Sequence, residues 1–162
     1  MIFNSEQIKL FLPHRHPFLF VDSVESITLP PELTNLTGPK DLVGAKVVAN
    51  YFTDPKHVIF SGHFPGRPIL PGVVQVEMMA QASSFVFTKL IKEDLAKVKP
   101  NLEVALLSIE HAKFRKPIYP SMDLRIETEC VRFRSNMMTC EGKLFHDGEL
   151  MSESTAMAFI KM

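Results

Sequence analysis

Gly72-Val73-Val74-Gln75-Val76-Glu77-Met78-Met79-Ala80-Gln81-Ala82-Ser83-Ser84-Phe85-Val86-Phe87 is the stretch that decides how this chain folds. After Gly72, neither Gly nor Pro interrupts it as far as Lys92. It is apolar on almost every helical face, and a helix apolar all round is a buried one. Ala80, Ala82, Ser83 and Ser84 are small, so a sheet can approach it closely. The pattern predicts a central helix over 72–92.

Outward from it, the chain is strand-rich. Candidate strands cover 104–109, 112–118, 124–133, 138–145 and 150–160 on the C-terminal side. Leu124, Ile126, Thr128 and Cys130 alternate with Arg125, Glu127 and Glu129, the period of a strand with one wet face. Asp147-Gly148 between two such runs is a hairpin signal. On the N-terminal side, Asn4 or Ser5 caps a short helix to about Leu12, which Pro13 stops. Strands are expected over 18–24 and 43–52. The polar, proline-bearing stretch 28–43 reads as a loop insertion. One buried helix with mostly antiparallel strands predicts a single α+β domain over 1–162, its sheet wrapped on the helix.

Composition bounds the function. The 162 residues are 46% hydrophobic, with 18 Lys plus Arg against 18 Asp plus Glu. A chain this long buries a sizeable core without metal or disulfide staples. Balanced charge argues against a nucleic-acid partner. Two cysteines, Cys130 and Cys140, make no metal or redox motif. With no basic, apolar leader at Met1–Ser5, they predict reduced thiols and a cytoplasmic protein. No apolar run reaches the ~18 residues of a membrane span.

The chemistry is concentrated between His63 and Gln81. His63 lies in Ser61-Gly62-His63-Phe64-Pro65-Gly66-Arg67-Pro68-Ile69-Leu70-Pro71-Gly72, where prolines stiffen the backbone without regular structure. An imidazole's ordinary titration range makes it a base near neutral pH; the alternative is a loop histidine bonded to backbone. Glu77 sits in the most apolar helix. Burial there favours the neutral acid and raises the pKa, so the group can give a proton to a leaving hydroxyl. The alternative is a structural carboxylate bonded to backbone or to an arginine. Gln81, four residues on and on the same face, is placed to orient that carboxyl or to face a subunit interface. Pro71-Gly72-Val73 opens the helix, so the N–H groups of Gly72 and Val73 point out of its positive end. That is an oxyanion site for a thioester carbonyl, or simply a helix start. A base, a buried acid and an oxyanion site together fit elimination of water across carbons 2 and 3 of a thioester, with no cofactor and no metal.

Gly62-His63-Phe64-Pro65-Gly66-Arg67-Pro68-Ile69-Leu70-Pro71-Gly72-Val73, followed by Glu77-Met78-Met79-Ala80-Gln81-Ala82, resembles the signature of the FabZ-type (3R)-hydroxyacyl-[acyl-carrier-protein] dehydratases. Leu12-Pro13-His14-Arg15-His16-Pro17-Phe18-Leu19-Phe20-Val21-Asp22 and Ala112-Lys113-Phe114-Arg115-Lys116-Pro117-Ile118-Tyr119-Pro120 resemble two further motifs of that family, in its order. The resemblance implies a hot-dog fold and a dimer, often a trimer of dimers. It implies His63 as base and Glu77 as acid from opposite protomers, Gly72 as oxyanion donor and Gln81 as support. An acyl tunnel between protomers would be lined by Phe64, Val73, Val76 and Phe85, which are equally candidates for ordinary core. Lys113, Arg115, Lys116, Arg132 and Arg134 would dock an acidic acyl carrier protein, or form a solvated basic face. Glu77, where FabA-type dehydratase-isomerases carry Asp, implies dehydration without isomerisation. His16, where the family more often has Tyr or Pro, and the long 28–43 stretch depart from the pattern and bear on substrate scope.

Three rivals remain. A hot-dog acyl-thioesterase would hydrolyse the thioester with carboxylate-activated water. A non-catalytic acyl-carrier binding subunit has no need of His63 or Glu77. A metal site at His14 and His16 has ligand-like spacing, but Pro13 and Pro17 suit a structural turn and no further ligands lie nearby.

Overall fold

Helix Gly72–Ser84 (α3) lies against one face of a six-stranded antiparallel sheet. The computed structural model describes residues 1–33, 35–93, 95 and 103–161. In chain order the elements are α1 (Ser5–Phe11), β1 (Ser23–Thr28), β2 (Lys46–Phe52), α2 (Ile59–Gly62), α3, β3 (Glu103–Phe114), β4 (Asp123–Arg134), β5 (Met137–His146) and β6 (Glu149–Lys161), with 3-10 turns at Pro39–Leu42 and Phe85–Leu90. The strand order is β1-β2-β4-β5-β6-β3. This is the hot-dog arrangement, a sheet wrapped round one helix.

The helix is buried for the reason its composition suggested. Val74, Val76, Met78, Met79 and Ala82 all lie in the core. The sheet meets it with small residues: Thr128, Gly142 and Ser154 are aligned across β4, β5 and β6. A Cβ on Gly142 would fall 2.7 Å from Met79. Gly142→Ala is therefore expected to destabilise the fold by about 1–3 kcal/mol through overpacking, read as a lower denaturation midpoint. An unchanged midpoint would contradict this close approach.

Alternation on β4 is as expected, with Leu124, Ile126, Thr128 and Cys130 buried. Asp147 and Gly148 both have positive φ, 50° and 79°, in the β5–β6 hairpin turn. The α1 cap is Asn4, whose side chain accepts the Glu6 and Gln7 N–H groups.

Four expected elements are corrected. The strand expected over 18–24 begins at Ser23 instead. Ahead of it, Phe18 C=O and Phe20 N–H bond the Gln81 side chain, so their polar groups are satisfied without a sheet partner. The central helix ends as α at Ser84, not Lys92. The hydroxyls of Ser83, Ser84 and Thr88 bond carbonyls three residues back, and the chain tightens to 3-10 from Phe85. The two strands expected over 104–109 and 112–118 are one strand, β3, with irregular register near Leu106–Ser108 and Ile109–His111. Ser61 and Gly62, expected to be irregular, close the short helix α2. Within the loop 28–43, Leu42 is fully buried in the 3-10 turn, so that end of the stretch is tied to the core.

β3 is an edge strand, and most of its side chains are exposed, including Leu106, Leu107, Ile109 and Phe114. No helix among the described residues is long and apolar enough to cross a membrane.

Candidate active site

His63 follows α2 and is locked at three points. Its N–H bonds Ile59 C=O, its C=O accepts Ile69 N–H, and its ring Nδ1 lies 2.8 Å from Ile69 C=O. A carbonyl only accepts, so Nδ1 carries the hydrogen and the neutral ring presents the Nε2 lone pair. The ring stacks on Phe64, with centroids 4.0 Å apart. His63 shares a cavity with Gly72, Gln75, Phe114 and Pro117.

Gly72 is the first residue of α3, and its N–H belongs to the orphan set of a helix start. A Cβ there would fall 2.7 Å from the Phe114 ring. The absence of a side chain thus lets Phe114 close over the helix start beside His63.

Glu77 lines a second cavity, with His14, Ala80, Gln81 and Leu106. Gln81 is almost fully buried. Its amide donates to Glu77 Oε1 at 2.8 Å and to Phe18 C=O at 2.7 Å, while its oxygen accepts Phe20 N–H at 2.9 Å. The amide therefore ties the carboxyl to the N-terminal stretch. His14 Nε2 lies 3.3 Å from the same Oε1.

The expected rise in the Glu77 pKa is corrected: the bond from His14 holds its carboxyl below the ordinary range, with help from Gln81, although burial pulls the other way. Apolar helix neighbours alone suggested the rise. The two donors come from a turn 63 residues away and from the next helical turn.

Phe64 and Val73 are exposed, while Val76 and Phe85 are buried; Phe85 packs on Phe11 and Phe3. Arg115 pairs with Glu153 at 2.5 Å, Lys116 with Glu149, and Lys113 is exposed nearby on β3. Arg132 and Arg134 lie at the far end of β4, so the five basic residues make two groups within one chain. His14 and His16 turn to different partners, His14 to Glu77 and the His16 ring to the His57 ring. Sequence reasoning weighed His14 only as a metal ligand beside His16 and missed its contact with Glu77. Its signal was present in the Pro13–Pro17 turn, but nothing local connects it to Glu77.

Within one chain, His63 and Glu77 line separate cavities. One reaches β3 at Phe114 and the other at Leu106, which pair with Ser152 and Ala158 of β6, six residues or about 20 Å apart along that strand.

A family model described as a FabA-like domain matches residues 12–155. The "3-hydroxyacyl-[acyl-carrier-protein] dehydratase FabZ" of Campylobacter curvus is 37% identical, with 95% of each chain covered. Its namesake in Geotalea uraniireducens is 37% identical over 93% of this chain and 92% of that one. The chain belongs to the FabZ-type dehydratase family. Among solved structures, the dehydratase heterocomplex ApeI:P of Xenorhabdus doucetiae aligns with TM-score 0.53 at 21% identity, over 70% of this chain and 87% of that one. A thioesterase-superfamily protein of Thermus thermophilus aligns with TM-score 0.57 at 17% identity, over 74% and 82%. At such identities these two likenesses concern the hot-dog fold alone.

Proposed function

We infer that this chain dehydrates 3-hydroxyacyl groups carried on acyl carrier protein, in fatty acid biosynthesis. The observation that carries the reading is the match over 95% of both chains to a FabZ dehydratase.

The site geometry supports a role for each residue. His63 Nε2 removes a proton from carbon 2. The Gly72 N–H stabilises the charge developing on the thioester oxygen. Glu77 gives its proton to the hydroxyl leaving carbon 3, and the electron pair of the broken C–H bond becomes the double bond. Water and a 2-enoyl thioester result. The elimination is redox-neutral and needs no cofactor. The acid role requires Glu77 to hold a proton in the complex. Closure of its half-open cavity would favour this, since removing water penalises the carboxylate.

A second copy of the chain is the natural closure. β3 is a twelve-residue edge that exposes Leu106, Leu107, Ile109 and Phe114, and such an edge is a ready template for strand pairing. Antiparallel β3–β3 pairing brings the Phe114 end of one protomer toward the Leu106 end of its partner, so His63 of one chain would meet Glu77 of the other. Phe64 and Val73, exposed here, would then line the acyl tunnel with Val76. Arg115 and Lys116 line the His63 cavity and suit the approach of an acidic carrier protein. A cytoplasmic location is part of the reading, and the free thiols of Cys130 and Cys140 fit it.

The test is incubation with 3-hydroxyacyl and with saturated acyl thioesters of the carrier protein. Enoyl absorbance from the first without thiol release from either is expected. Free thiol without enoyl product would indicate a thioesterase instead.

A further inference from the structure

Two donors meet on one oxygen of Glu77. The Gln81 amide donates to Oε1 at 2.8 Å and the His14 ring Nε2 approaches the same atom at 3.3 Å, while Oε2 has no protein partner among the described residues. A carboxyl group whose first oxygen accepts two N–H bonds keeps its own proton on the second, because a hydrogen on Oε1 would face two donors. Geometry thus selects which oxygen can release a proton.

His14 is held for this contact. Arg15 bonds the carbonyls of Lys9, Leu12 and His14 at 2.9, 2.8 and 2.6 Å, bracing the turn that carries the ring. His14 Nδ1 is buried with no partner in the described structure. A hydrogen there would be a buried unpaired donor, so the neutral ring carries its hydrogen on Nε2, toward Glu77. The remaining described side chains of this cavity, Ala80, Ser84, Val104, Leu106 and Ala158, do not titrate near neutral pH. His14 is therefore the titratable neighbour of Glu77 among the described lining residues.

We propose that His14 is a positioning residue for the acid of the dehydration: its Nε2–H, with the Gln81 amide, holds Oε1 so that the transferable proton sits on Oε2, toward the substrate hydroxyl. The proposal rests on the reading of Glu77 as the acid. The same bond is the largest influence keeping the Glu77 carboxyl below its ordinary range, so its loss has a second, electrostatic signature.

The experiment compares His14→Leu and His14→Gln in the full chain, on a 3-hydroxybutyryl thioester of acyl carrier protein across pH. His14→Leu is expected to lower kcat about 10–100-fold, with KM within about threefold. The limb of the pH profile that belongs to Glu77 moves to higher pH, on whichever side of the bell it lies, because the donor that favoured the carboxylate is gone. His14→Gln retains an N–H and recovers most of kcat. Should His14→Leu not fold, His14→Phe, which keeps a ring and removes both nitrogens, is read in the same way. An unmoved pH profile, with activity loss tracking only the folded fraction and no recovery by Gln, would overturn the proposal. Glu77→Gln is assayed alongside. If it retains turnover, the acid reading fails; if it is inactive while His14→Leu matches wild type, only the role of His14 fails.

Discussion

His63→Ala is expected to lower dehydration about a thousand-fold while leaving the fold intact. The expectation follows from what the ring does and does not hold. Its Nδ1 bond to Ile69 C=O fixes the ring and commits the Nε2 lone pair to chemistry. The main-chain bonds of His63 to Ile59 and Ile69 survive truncation, so the loop keeps its path. One side-chain hydrogen bond on a part-exposed loop is worth about 0.5–1.5 kcal/mol, too little to unfold a typical domain. Thermal denaturation and the enoyl assay together check this. A folded variant with substantial turnover would remove His63 from the role of base.

Mixing two inactive chains should restore activity. His63→Ala and Glu77→Gln are each expected to be nearly inactive. If a site takes His63 from one protomer and Glu77 from its partner, a mixed dimer has one site with both residues intact and one with neither. Random re-association makes about half of the dimers mixed, with half of their sites intact, so about a quarter of wild-type activity returns. The separate cavities of His63 and Glu77 within one chain are the reason to expect this. Gln at position 77 keeps an oxygen able to accept from His14 and Gln81, so the variant should stay folded. Native mass spectrometry establishes that mixed dimers form. If they form and remain inactive, the composite site is wrong, and the β3 edge brings together something other than these two halves.

Much of the candidate site was legible because its residues are local in sequence. The stiff loop holding His63, the helix start at Gly72 and the pair Glu77–Gln81 all lie within one stretch of Gly62-to-Gln81 sequence. Helical spacing alone put Gln81 on the Glu77 face, and the 2.8 Å bond between them is there. The direction of the Glu77 pKa shift was misread, because its environment includes the His14 ring, which helical spacing does not reveal. The strand start at Ser23 was misread for a related reason: the amide that satisfies Phe18 and Phe20 comes from α3, 61–63 residues away.

From sequence alone came the buried helix, the alternation of β4 and the last hairpin, since each depends on side-chain period or turn chemistry within a few residues. Tertiary structure alone decided that β3 is one exposed edge, that Gly142 makes room for Met79, and that His14 meets Glu77. Those are contacts between segments far apart along the chain, and no local pattern specifies them; they exist only once burying α3 has brought its neighbours into place.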